Sequence, residues 1–175
     1  MWDQEKTDAA FDFGCKSLGE VVYYFQQLEE ELGRAVSFLI DPTPGGMAAD
    51  VVVAEQSFKQ LVHLGYSLLP LYKLKEPDKA LAEWKSVLAA ALKAEGMRNT
   101  ILHSTFGVSI DEEPTFQRNK VTAKYKKGWK EAVETLDEKR MEKYRTEIGT
   151  VATKIGDFMS RTFPRWHLRQ WSPGD

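Results

Sequence analysis

Three features of the sequence predict an all-α chain: an antiparallel four-helix bundle with a small β-hairpin or irregular excursion at about 105–135, before the last helix. Apolar residues return every three or four positions through four long stretches, the spacing of one helix face. Clusters of proline and glycine divide these stretches, and one short run alternates with period two, as a strand does. Long helices joined by short connections pack antiparallel.

In the first stretch Phe11, Cys15, Leu18, Val22, Phe25, Leu32, Val36 and Leu39 keep helical spacing, with Glu29 in the one charged slot. Asp41-Pro42-Thr43-Pro44-Gly45-Gly46 stops it, and Asp50 is the expected cap of a second helix carrying Val51, Ala54, Phe58, Leu61, Gly65, Leu68 and Tyr72. Gly65 costs helix propensity of about 1 kcal/mol against alanine, so its use there suggests close approach by another helix, and Pro70 should fray the end. A third helix opens at Pro77-Asp78, where proline's missing N–H is harmless. Its stripe runs Leu81, Trp84, Leu88 and Ala91, then meets Glu95, Arg98 and Leu102. Beyond Gly107, Val121, Ala123 and Tyr125 alternate with Thr122, Lys124 and Lys126 as in a strand. The last helix spans about 137–162 on Met141, Tyr144, Ile148, Val151, Ile155 and Phe158.

Composition narrows the class. The 175 residues suit one domain, 1–175, and a hydrophobic fraction of 42% with 29% charged residues is that of a globular chain. A single cysteine, Cys15, excludes an internal disulfide and a cysteine-rich zinc site, which fits a reducing cytoplasmic setting. No basic segment leads into an apolar run at Met1–Lys6, and no apolar stretch approaches about eighteen residues, so neither secretion nor membrane insertion is expected. Net charge is only -2, but residues 1–60 hold eleven acidic groups against four basic, and residues 61–175 fifteen against twenty. A basic surface is therefore expected on the second part.

Charges in core slots need partners. Glu29, Glu95 and Arg98 either pair at the edge of the bundle or line a polar pocket near one end. Asn99 and His103, four apart, share a helix face about 6 Å apart along the axis, whereas Arg98 and His103 diverge by roughly 140°. The latter two converge through arginine's length, a distorted helix end, or a second subunit. Ser104, Thr105 and Gly107 follow, which places His103 at a helix C-terminus, where the backbone dipole favours imidazolium. An imidazole that moves a proton, with a guanidinium that neutralises phosphoryl oxygens, suits cleavage of RNA, whose 2′-hydroxyl is its own nucleophile; no metal or other cofactor is required.

Arg98-Asn99-Thr100-Ile101-Leu102-His103-Ser104 resembles the R-x4-6-H motif of the HEPN superfamily, late in a long bundle helix, and the excursion that follows is similar to a hairpin that precedes the last helix in some bacterial members. The resemblance implies a metal-independent endoribonuclease of a toxin–antitoxin or other defence system, with the active site formed where two copies meet. Arg98 and His103 would then be catalytic, with Asn99 orienting or contacting substrate and Ser104 beside it. A cognate antitoxin or a nucleotidyltransferase would be the expected partner besides RNA and a second copy. Other HEPN members are non-catalytic dimerisation, nucleotide-binding or partner-docking modules, so membership alone does not settle activity.

Arg118, Lys120, Lys124 and Lys126, interleaved with Phe116, Tyr125 and Trp129, form either an RNA-tracking surface or a solvated hairpin whose aromatics pack on the bundle. The tail repeats the theme with Arg161, Arg165, Trp166, His167, Arg169 and Trp171. His63 and His167 lack a second ligand at metal spacing. Cys15 reads as a small core hydrophobe, Trp84 as core, and Gly45-Gly46 lacks the Lys-Ser/Thr of a phosphate loop.

Overall fold

Where the periodic stretches are strongest, helices form. The computed structural model describes residues 3–44, 46–109, 113–124 and 128–169, with backbone alone at 122–124, 128–130 and 168–169. Among them are α1 (Gln4–Ile40), α2 (Met47–Ala54), α3 (Phe58–Leu68), α4 (Pro77–Leu102) and α5 (Glu138–Thr162). Single 3-10 turns cover Leu69–Leu71 and Trp166–Arg169, and three strands, β1 (Thr105–Val108), β2 (Phe116–Lys124) and β3 (Gly128–Thr135), separate α4 from α5. The chain is mainly helical with a small antiparallel sheet, as the periodicities predict. None of the described helices is long and apolar enough to cross a membrane.

The residues group into two compact units, one of Met1–Tyr24 with Gly96–Glu147, the other of Phe25–Glu95 with Ile148–Asp175. In the second unit, Phe25, Leu28, Leu32, Val36 and Leu39 of α1 are buried, as are Phe58, Leu61 and Val62 of α3. Trp84 of α4 stacks on Phe158 of α5, ring centroids 4.8 Å apart, and its indole N–H donates to the Gly65 carbonyl at 2.8 Å. A Cβ at Gly65 would stand 3.2 Å from Leu88 and 3.3 Å from Trp84, so this glycine does admit a neighbouring helix. Trp84 is a core residue.

The second expected helix is in fact two. Ser57 and Gln60 form a capping box that starts α3 afresh: Gln60 N–H donates to Ser57 Oγ, and Ser57 N–H to Gln60 Oε1 at 2.8 Å. These bonds satisfy donors that an uninterrupted helix would have paired with its own carbonyls. Asp50 lies inside α2 instead of capping it, and its carboxylate accepts the Ser37 hydroxyl. Val51 and Ala54, expected in the core, are exposed.

In the first unit the stripe of α1 is turned by one residue. Gly14, Ser17 and Val21 are buried, while Phe11 is 53% exposed and Cys15, expected in the core, faces solvent. The reason is Gly14. It has no side chain, and the ring of Phe116 from β2 occupies the space that a Cβ would take.

The excursion is a three-stranded antiparallel sheet in the order β1-β2-β3, one strand more than a hairpin. Phe106 pairs with Arg118 and Val108 with Phe116, while Arg118 pairs in turn with Glu134. Residues directly opposite share a face, so Phe106, Phe116, Arg118, Lys120 and Glu134 stand together on the side that buries Phe116. Val121 and Val133, 56% and 59% exposed, stand on the other.

Candidate functional site at the end of α4

The end of α4 leaves carbonyls without intrahelical partners, and here they are bonded without a C-terminal glycine. The His103 N–H donates to Asn99 O at 3.1 Å, and Ser104 N–H to Ile101 O at 3.1 Å. Thr100 O accepts twice, from Ser104 Oγ at 2.7 Å and from the Arg118 guanidinium at 3.1 Å. A cation at this position also opposes the negative end of the helix dipole. β1 then starts at Thr105, paired with Asn119. His103 is thus an exposed residue at a helix-to-strand junction whose backbone is bonded on both sides.

Arg98 is half-buried one turn earlier, and its guanidinium donates to Asn99 Oδ1 at 2.9 Å. The bond turns the Asn99 amide toward the arginine. Helical geometry still sets Arg98 and His103 roughly 140° apart about the axis, so within one chain they face different directions.

Arg118 is half-buried and held by two groups: Thr100 O and, through a salt bridge, Glu134, which a second arginine, Arg140, also meets. Its two terminal nitrogens therefore serve the fold, as does the hydroxyl of Ser104, while its buried Nε has no partner among the described residues. Sequence reasoning assigned both to substrate and missed Glu134 and Arg140. The signal was present in the pairing of β2 with β3, but a register cannot be read from a strand pattern alone. Lys120 is half-buried on the Phe116 side of β2, Lys124 is described by its backbone in β2, and Lys126 lies outside the described residues.

Glu29 and Glu95 are half-buried members of the Phe25–Glu95 unit. In α1 the fully buried position next to Glu29 belongs to Leu28. The same unit contains Glu31, whose carboxyl is pushed above its usual range by burial and drawn partly back by Arg34, 3.3 Å away.

A denser charge cluster joins α1 to the start of α5. Arg145 bonds Glu142 at 2.6 Å, Glu138 at 2.7 Å, and Glu20. The hydrogen bonds that it donates to Glu142 and Glu138 hold its guanidinium more firmly protonated than usual, and the bond from Arg145 lowers the Glu142 carboxyl. It is a structural clamp, in which one guanidinium holds carboxylates from two helices.

No protein-family model, curated protein or solved structure matches the chain. The class that fold and site define is a mainly helical chain with a three-stranded antiparallel sheet and an exposed histidine at a helix-to-strand junction.

Proposed function

We propose that this chain is a HEPN-like protein that cleaves RNA without a metal, its fold the antiparallel four-helix bundle of that superfamily and its active site shared between two copies. The observation that carries the reading is the support of His103, an exposed imidazole on a backbone bonded to Asn99 on one side and leading into β1 on the other. A general base has to be held while its ring stays open to substrate.

In the reaction, His103 takes the proton of the RNA 2′-hydroxyl, whose oxygen bonds to phosphorus as the 5′-oxygen leaves. Arg98 of the second copy neutralises the phosphoryl oxygens, and the leaving 5′-oxygen takes its proton from water. The divergence of Arg98 and His103 on one helix is what calls for that copy. Asn99 holds the arginine. Lys120, Lys124 and Lys126 add charge for the RNA backbone. A cytoplasmic toxin or defence role, restrained by an antitoxin or nucleotidyltransferase, accords with such an activity.

A second reading, a non-catalytic HEPN-like dimerisation or partner-docking module, draws on Arg118 and Ser104, whose terminal guanidinium nitrogens and hydroxyl are already engaged within the fold. Subunit mixing separates the two. The wild-type chain should cleave RNA in EDTA, Arg98→Ala and His103→Ala should each be inactive, and a mixture of the two variants should regain activity. In a mixed dimer one of the two shared sites has both groups intact. Absence of cleavage by the folded dimer across diverse RNAs selects the docking module, and activity untouched by either substitution removes the motif from the chemistry.

A further inference from the structure

Two cavities of the second unit share a wall formed by Tyr72 and Phe163, edge to face with ring centroids 5.2 Å apart. One cavity, an open hollow of about 410 Å³, is lined further by Phe38, Thr43 and the rings of Pro42, Pro44 and Pro164, with exposed Arg165 completing its lining. That volume lies within the about 300–1,000 Å³ typical of small-molecule sites, and rings dominate the surface as they do in such sites. The Tyr72 hydroxyl donates to the Leu39 carbonyl at 2.9 Å, so its polar end is engaged by the backbone. What the tyrosine offers the cavity is its ring.

The other cavity, also about 410 Å³, is polar and basic. Its two carboxylates, Glu76 and Glu83, are taken up by Lys79 at 3.3 Å and by Arg161. Among the described residues, Lys73 and Lys75 of this cavity and Arg165 of the first make no ion pair. An aromatic hollow edged by the uncompensated charge of Arg165 thus shares a wall with a surface that carries two more, Lys73 and Lys75.

We propose that this is a binding site for a small planar aromatic anion, its rings in the Phe38–Tyr72–Phe163 hollow and its carboxylate or sulfonate turned toward Arg165 and the lysines. Charge complementarity selects the occupant. A neutral apolar guest would leave the cations unused, and a cationic one would be repelled. Rings stack offset or edge-on against aromatic walls, which favours a flat body over a branched one. The site is independent of Arg98 and His103.

The full chain is titrated with 8-anilinonaphthalene-1-sulfonate and, separately, with neutral N-phenyl-1-naphthylamine. Expected is saturable binding of one sulfonate per chain with blue-shifted emission. Thr43→Trp, which puts a bulky side chain into the lining, should weaken both probes at least about ten-fold. Arg165→Gln should weaken the sulfonate roughly three- to five-fold, the size of one exposed ion pair, and leave the neutral probe unchanged. Thermal melts confirm that the variants fold; if Thr43→Trp does not, Arg165→Gln and Lys73→Gln decide. Non-saturable binding, sulfonate binding that no folded variant alters, or equal effects of Arg165→Gln on both probes would overturn the proposal.

Discussion

Replacing Gly14 by alanine tests the contact that orients the sheet on α1. A methyl group there would overlap Cγ, Cδ2 and Cε2 of Phe116, lying more than about 1 Å inside the ordinary carbon–carbon separation. The ring has little room to retreat: Phe116 is 3% exposed and lies parallel to Phe106, centroids 5.6 Å apart. Overpacking of this kind costs about 1–3 kcal/mol, and the rigid ring argues for the upper end, while alanine returns about 1 kcal/mol of helix propensity. A net loss of about 2 kcal/mol should lower the melting temperature by roughly 4–8 °C for a chain of this size. Phe116→Leu, which shortens the intruding ring, should be less harmful in the alanine background than in the wild type, giving a favourable coupling in a double-mutant cycle. The assay is thermal unfolding of all four proteins by circular dichroism. If Gly14→Ala melts at or above the wild-type temperature, the close approach of Phe116 is not what sets the face of α1, and the argument fails. Because Arg118 follows two residues after Phe116 and bonds the Thr100 carbonyl, the same variant should also disturb the His103 junction, visible as faster amide exchange at residues 103 and 104.

Trp84→Phe keeps an aromatic ring against Phe158 but takes the indole donor from the buried Gly65 carbonyl; a loss of about 1 kcal/mol is expected in denaturant unfolding. Arg118→Met removes a cation from the end of α4 and a partner from Glu134, and should destabilise by about 2 kcal/mol in the same assay. Lys at this position should recover part of that loss. Glu31 binds its proton more tightly folded than unfolded because it is buried. Its stabilising contribution is complete below the unfolded carboxylate value and disappears as pH rises through the raised folded value. Glu31→Gln should therefore melt higher than wild type at pH 7 and lose the advantage as pH falls toward 4; a lower midpoint at pH 7 would show that the Arg34 pairing outweighs burial.

The sequence alone determined the long helices and one strand of the sheet. Helical spacing placed α1, α4 and α5, the Pro77 signal marked the start of α4, and period-two alternation marked β2, because these depend on neighbours within a few residues along the chain. It also identified Trp84 as core and Gly65 as a point of close approach. The break between α2 and α3 was legible too, in Ser57 and Gln60, but continuous apolar spacing concealed it. Tertiary structure alone decided which face of α1 is buried. Slots 11, 15 and 18 are as helical in spacing as 14, 17 and 21, and only the arrival of Phe116 from a hundred residues away favours the set that contains a glycine.

The candidate site divides in the same way. Arg98, Asn99 and His103 are adjacent on one helix, so their spacing could be read directly. The use of Arg118 and Ser104 to close that helix depends on the registers of β1, β2 and β3, which bring Glu134 opposite Arg118. Register follows from side chains on different strands meeting across the sheet, and no local pattern encodes it. The aromatic hollow was hidden for the same reason: Phe38, Tyr72 and Phe163 come from three separate segments, and only packing makes them one surface.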